Sequence, residues 1–262
     1  LEQLLKCEPV DFTPLTTIRT VLAVYNGVTI QTTIVFHIAK ENKYLEIEHL
    51  SLARMKANDY NSIAKLYDPL SRLIFFGAIQ KSQLAFLGLI PDHSKVLFIG
   101  GGNGYTLHKL FSINPNLEVV YLELSAKMID LSKNKLSQES LDKVLFIHGN
   151  ESQIPDLEYD VVISFYFLDL FQRKRGLNIF MLLDQRLKPG GIWLIADFNV
   201  PKRFYQKCIE KLMFAFLKIS TQIEARNIYD YKDYFNSDYI QLKEKSFYDK
   251  FIFSSVYTKR LE

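Results

Sequence analysis

"VLFIGGGNGYTLHKL", residues 96–110, sets four glycines into five positions directly behind a run of apolar residues. At the end of a strand, backbone without side chains permits a tight turn and lets amide groups approach a ligand that any Cβ would hold off. The spacing is Gly100-x-Gly102-x-Gly104 followed by Tyr105, so the third glycine of a dinucleotide-type G-x-G-x-x-G loop is missing, which weighs against a pyrophosphate-binding dehydrogenase. A glycine-rich turn can also be no more than a tight structural connection.

Outward from this loop, apolar strand-like runs alternate with helical ones, the pattern of a parallel sheet covered on both faces. Strands are expected at "KVLFI", "LEVVYLE", "KVLFIHG", "YDVVISFYF" and "GIWLIADF", with helices near 104–113, 126–137, 173–187 and 201–219. The closing "DYIQLKEKSFYDKFIFSSVYTKR" predicts two antiparallel strands joined through Tyr248, Asp249 and Lys250. The fold class is therefore α/β, a doubly wound, mostly parallel seven-stranded sheet ending in an antiparallel hairpin. A small N-terminal β segment precedes it: Val, Ile and Thr cluster around Asn26-Gly27, a tight-turn pair, and predict a β-meander over 18–52. The segment "ANDYNSIAKLYDPLSRLIFFGAIQKSQLAFLGLIP" is helical in spacing, with Asp68 placed as a cap at Pro69. The division expected is an accessory β-rich segment, 1–54, and a principal domain, 55–262.

Two further positions turn the loop into a ligand site. Glu123 ends "VVYLE", where a carboxylate can accept both hydroxyl hydrogens of a ribose, although alone it would read as a solvated strand-end charge. Asn150 follows Gly149 beyond the third of these strands, at the edge where open α/β sheets bind ligands; its amide offers a donor and an acceptor to an adenine edge, or it is a plain turn residue.

Composition bounds the alternatives. A net charge of +3, from 32 basic and 29 acidic residues, is too small and dispersed for a nucleic-acid footprint, so no nucleic-acid partner is expected. Cys7, Cys208 and five scattered histidines make neither a disulfide framework nor a metal spacing, and no metal is expected. The uncharged stretch Thr20–Ala39 carries too many polar residues for a hydrocarbon segment, and no leader-like pattern opens the sequence, so stable membrane insertion is not expected and a cytoplasmic location is.

The order of motifs, "VLFIGGGNG", "YLELSAKMIDLSK", "IHGNESQIP", "YDVVISFYFLDLF", "LKPGGIWLIADF" and the closing hairpin, resembles the class I S-adenosylmethionine-dependent methyltransferases, whose sheet is Rossmann-like. The likeness covers about residues 60–260, and "YNSIAKLYDPLS" is similar to the helical entry of the quinone and small-lipid members. It implies S-adenosylmethionine as cofactor, with Gly100, Gly102 and Gly104 at its methionine and ribose portions and Glu123 on the ribose hydroxyls. Leu124 and Met128 would flank adenine, Asn150 and Glu151 would lie beside it, and Ser164 and Phe165 would lie near the sulfonium end. The family usually carries an acidic residue two places before the first glycine; here that place is Phe98, and backbone carbonyls of Gly100 or Ser164 are the substitutes expected to hold the cofactor ammonium.

The function expected is methyl transfer to a small aromatic or lipid-like acceptor, because aromatic residues become dense beyond Val200. Asp169 and Tyr67 are the candidate catalytic groups, with Asp197 a second choice; Asp169 can equally cap the following helix. Glu224 and Arg226 can orient an acceptor or form an ion pair. "GGGNG" is also similar to the loop of the polyamine synthases, which transfer an aminopropyl group, but their acidic cradle is missing from "SFYFLDLF". A noncatalytic adenosyl-binding or assembly module is the other alternative, and residues 1–54 are a candidate surface for homo-oligomers.

Overall fold

The computed structural model describes residues 15–25, 28–38, 43–50, 75–220, 225 and 227–261. The chain divides into two compact units, 1–59 and 60–262. In the first, β1 (Leu15–Tyr25), β2 (Val28–Ile38) and β3 (Lys43–Leu50) form an antiparallel sheet in that order, with Tyr25 opposite Val28 and a bulge between Thr33 and Ile34. The expected turn at Asn26-Gly27, the cap at Asp68-Pro69 and the boundary at 54–55 lie outside the described residues.

The second unit is built on seven strands: β4 (Lys95–Ile99), β5 (Glu118–Glu123), β6 (Val144–His148), β7 (Tyr159–Phe165), β8 (Leu187–Phe198), β9 (Tyr239–Phe247) and β10 (Ile252–Lys259). Their order across the sheet is β6-β5-β4-β7-β8-β10-β9. The first five are parallel, and β10 runs antiparallel between β8 and β9. β4 shows why the interiors of the central strands carry no charge. Leu97 and Ile99 enter a core on one face while Val96 and Phe98 enter another on the opposite face. A strand buried on both sides has no position left for a charge.

Among the described residues six helices accompany these strands: α1 (Ala78–Leu84), α2 (Tyr105–Ile113), α3 (Ala126–Lys133), α4 (Gln138–Leu141), α5 (Arg173–Arg186) and α6 (Phe204–Ser220). α5 buries Gly176, Ile179, Phe180 and Leu183, the one-face spacing of an amphipathic helix, and Phe180 stacks on Trp193 at 4.7 Å. The helix expected over 126–137 stops at Lys133. Ser137 accepts a hydrogen bond from the Ser140 amide and caps a new short helix instead.

The β9–β10 turn lies at the same edge as the carboxyl ends of the parallel strands, since Ile252 pairs with Phe198. Tyr248, Asp249 and Lys250 all take positive φ, 48°, 51° and 64°, a costly run for non-glycine residues. Neighbouring groups hold it in place: Tyr205 donates to Asp249 Oδ2 at 2.7 Å, and Asn199 Nδ2 donates to the Lys250 carbonyl at 2.8 Å.

Candidate functional site

The glycine loop joins β4 to α2 at the carboxyl edge. Gly101 is glycine because a Cβ there would stand 2.2 Å from the buried Tyr121 ring. Gly102 is different: its φ is +64°, yet a Cβ would meet nothing within 4 Å. The chain is bare on that side without being packed against anything, which leaves a cradle for a ligand.

The loop is held from behind. Tyr121 and Ser132 donate to the Gly102 carbonyl at 2.8 and 3.0 Å. Burial raises the Tyr121 pKa well above the usual phenol range, so it stays protonated and remains a donor. Lys135 Nζ donates to the Asn103 carbonyl. A single tyrosine among the apolar residues of "EVVYLE" is the one trace of this clamp in residue order.

Glu123 faces the loop from the end of β5. Its Oε2 accepts the Gly102 amide and its Oε1 the Ser125 amide, both at 2.9 Å. Each carboxylate oxygen has a further lone pair, so two ligand hydroxyls can be accepted without breaking either bond. Beside it Leu124 is 71% exposed, an apolar side chain that a flat ring would cover, and half-buried Met128 stands one helical turn on. The loop, the carboxylate and the exposed Leu124 suit an adenosyl ligand.

Beyond β6, Asn150 Oδ1 accepts from the Ser152 amide and hydroxyl, so its carbonyl is engaged in the turn while its NH2 group remains available to an adenine edge. Glu151 pairs with Arg175 at 2.8 Å, and the Arg175 guanidinium lies over the Phe171 ring at 5.2 Å.

Ser164 and Phe165 are the last residues of β7, and their side chains turn away from the edge. Ser164 Oγ accepts from Trp193 Nε1 at 2.8 Å, and Phe165 packs edge-on against Phe98 at 6.0 Å. Only their backbone can serve a ligand. Phe98, two places before Gly100, is buried against Tyr121 and Phe165. Tyr166 follows with φ 51° and shares a 2.7 Å hydrogen bond with Ser82 of α1. Phe167 then packs on Gly100, where a Cβ would be 2.7 Å from its ring.

Asp169 does not cap α5, whose N-cap is Gln172. It sits in the 3-10 turn Leu168–Leu170, 3% exposed, and Asp197 near the end of β8 is fully buried. Burial raises the Asp169 pKa to about 7, and burial together with the Asp169 charge raises Asp197 well above the ordinary carboxylate range. Tyr231, in the 3-10 turn Tyr231–Tyr234, is buried with them. Tyr67, Glu224 and Arg226 lie outside the described residues. Among the described residues no group of three or more His, Cys, Asp or Glu fits a metal ion, and no helix is long and apolar enough to cross a membrane.

A methyltransferase domain family matches residues 97–193, from β4 into β8. The chain is 26% identical over 182 residues to the ubiquinone/menaquinone biosynthesis C-methyltransferase UbiE of Wigglesworthia glossinidia brevipalpis, covering 66% of this chain and 71% of that one. It is 31% identical over 146 residues to malonyl-(acyl-carrier protein) O-methyltransferase 2 of Ilyobacter polytropus, covering 54% of this chain and about half, 52%, of the relative. Among solved structures, human N-acetylserotonin methyltransferase in complex with SAM superposes with a TM-score of 0.55 at 14% identity, over 79% of this chain and 61% of that one. Sheet order, glycine loop and relatives agree: residues 97–193 match a methyltransferase domain, and the chain is similar to the class I S-adenosylmethionine-dependent methyltransferases.

Proposed function

We propose that the protein transfers a methyl group from S-adenosylmethionine to a small acceptor with an aromatic or lipid-like body. The observation that carries this reading is the bare face of Gly102 beside the Glu123 carboxylate, at the carboxyl edge of a methyltransferase sheet. The cofactor supplies a methyl carbon already activated by its positive sulfur. The residues therefore have to bind, align and keep water out.

In this reading Gly100, Gly102 and Gly104 lie along the methionine and ribose portions, Glu123 accepts the ribose hydroxyls, and Leu124 and Met128 flank adenine. Asn150 and Glu151 lie at the adenine edge, and the backbone of Ser164 and Phe165 faces the sulfur end. Asp169 orients the acceptor, and the aromatic shell of Phe167, Phe171 and Tyr166 excludes water. The β-rich segment is an accessory unit and a candidate surface for self-association. Among the relatives above nothing favours aminopropyl transfer.

The test is incorporation of labelled methyl from S-adenosylmethionine into phenols, quinols, fatty acids and arylalkylamines. Incorporation into one of these classes, dependent on the intact protein, is expected. Bound cofactor with no transfer to any of them would leave a binding module instead.

A further inference from the structure

Three buried oxygens at the edge between β7 and β8 have no hydrogen-bond partner: Asp169 Oδ1, Asp197 Oδ2 and the Tyr231 hydroxyl. They belong to one cluster, because Leu168, next to Asp169, packs in the same core as Tyr231 and Phe253, and Phe253 is paired across the sheet with Asp197. Native structures satisfy nearly every buried polar atom, so three orphans in one place call for an occupant.

The groups around them come from four elements. The turn Leu168–Leu170 brings Asp169 and its amide, which faces the Asp197 carboxyl. β8 brings Asp197, whose Oδ1 accepts the Phe198 amide at 2.8 Å. The turn Tyr231–Tyr234 brings Tyr231 and Tyr234. β10 brings apolar Phe253, opposite Asp197. The Tyr229 amide faces the Tyr231 hydroxyl without completing a hydrogen bond. Among the described residues no Lys, Arg or His acts on either aspartate. Among the described residues the cluster is thus rich in acceptors and short of positive charge.

A water molecule would satisfy hydrogen bonds only with both buried carboxyls kept protonated. A divalent metal wants more oxygen ligands than two carboxyls and a phenol provide. A primary ammonium has three N–H donors and one positive charge. If one aspartate is ionised and the other protonated, the occupied site is neutral.

We propose that Asp169, Asp197 and Tyr231 anchor a primary ammonium group on the methyl acceptor, which is therefore an amine with an apolar body. This rests on the methyltransferase reading above, since it places the acceptor at this edge. The anchored nitrogen keeps its protons and is not a nucleophile, so methylation falls on another atom of the same molecule. The apolar body fits the surroundings, where Leu168, Ile195 and Phe253 join the same core.

Calorimetric titration of the full chain, with and without S-adenosylhomocysteine, tests the anchor. The probes are methylamine, butylamine and phenethylamine, each beside the alcohol of the same skeleton. At least one amine is expected to bind about tenfold or more tightly than its alcohol, a contrast that needs no variant. Asp169→Asn and Asp197→Asn are expected to lose that preference, and Tyr231→Phe to weaken it, while S-adenosylhomocysteine binds all three as it binds the wild type. Alcohols binding as well as amines throughout, or Asn variants that keep the preference, would overturn the proposal. Loss of S-adenosylhomocysteine binding by the wild-type chain would instead strike the methyltransferase reading, and the amine titrations would still judge the anchor.

Discussion

The two halves of the carboxyl edge solve opposite problems. At the ends of β4 and β5, polar groups already have partners: Glu123 accepts two amides, and the Gly102 carbonyl accepts two hydroxyls. At the ends of β7 and β8, Asp169 and Asp197 are buried with an orphaned oxygen each. The first half is set before its ligand arrives, as suits a cofactor common to many reactions. The second carries unmet hydrogen bonds, which is where, under the anchor proposed above, specificity for one acceptor can reside, because a wrong occupant leaves buried polar atoms unpaired.

Substitutions can pull these halves apart. The largest effect is expected from Gly101→Ala, whose methyl group collides with the Tyr121 ring that clamps the loop. Cofactor affinity should fall about a hundredfold, read by calorimetry, with thermal stability reduced as well. Glu123→Ala should cost about 1–3 kcal/mol of cofactor affinity through lost charge-assisted hydrogen bonds. Amine binding at the other half should survive it. If it does not, the two halves are one coupled site.

The acceptor half has its own signature in pH. Burial raises the Asp169 pKa from its ordinary 3.8 to about 7, so between these values the folded chain holds a proton that the unfolded chain has released. This contribution is full below the lower value and is lost as pH rises through the upper one. Thermal unfolding followed from pH 5 to pH 8 should therefore show a fall of about 5 °C, to which Asp197 contributes as well, and the double variant Asp169→Asn/Asp197→Asn should flatten it. An unchanged slope in the variant would assign the proton elsewhere. The smallest effect belongs to Arg175→Ala, since its pairing with Glu151 is partly exposed: cofactor affinity should move by less than about 1 kcal/mol.

Comparison of the halves also explains what could be read from residue order. The sheet was legible because strands such as "KVLFI" and "VVISF" are buried on both faces and almost wholly apolar, and the proposed cofactor half could be picked out because its groups sit in short loops directly behind those strands. Glu123 could be singled out because it closes its strand directly behind the buried run Val119–Leu122. The acceptor half was legible only in pieces. Asp169 and Asp197 are 28 positions apart, and they meet only through the pairing of β7 with β8, which sets Phe165 beside Ala196. Tyr231 was one aromatic residue among many, and its hydroxyl matters only once burial has removed water. Phe98 shows the converse. Read as a missing acid, it is an ordinary core residue packed between Tyr121 and Phe165.

The central claim is that Gly102 and Glu123 together form one wall of an adenosyl site. Titration of the wild-type chain and of Gly102→Val with S-adenosylmethionine tests it most directly, because the valine side chain would occupy the space that stands open beside the loop. Saturable binding by the wild type, abolished in the variant, is the result expected. A wild-type chain that does not bind the cofactor, or a variant that binds it equally well, would contradict the account.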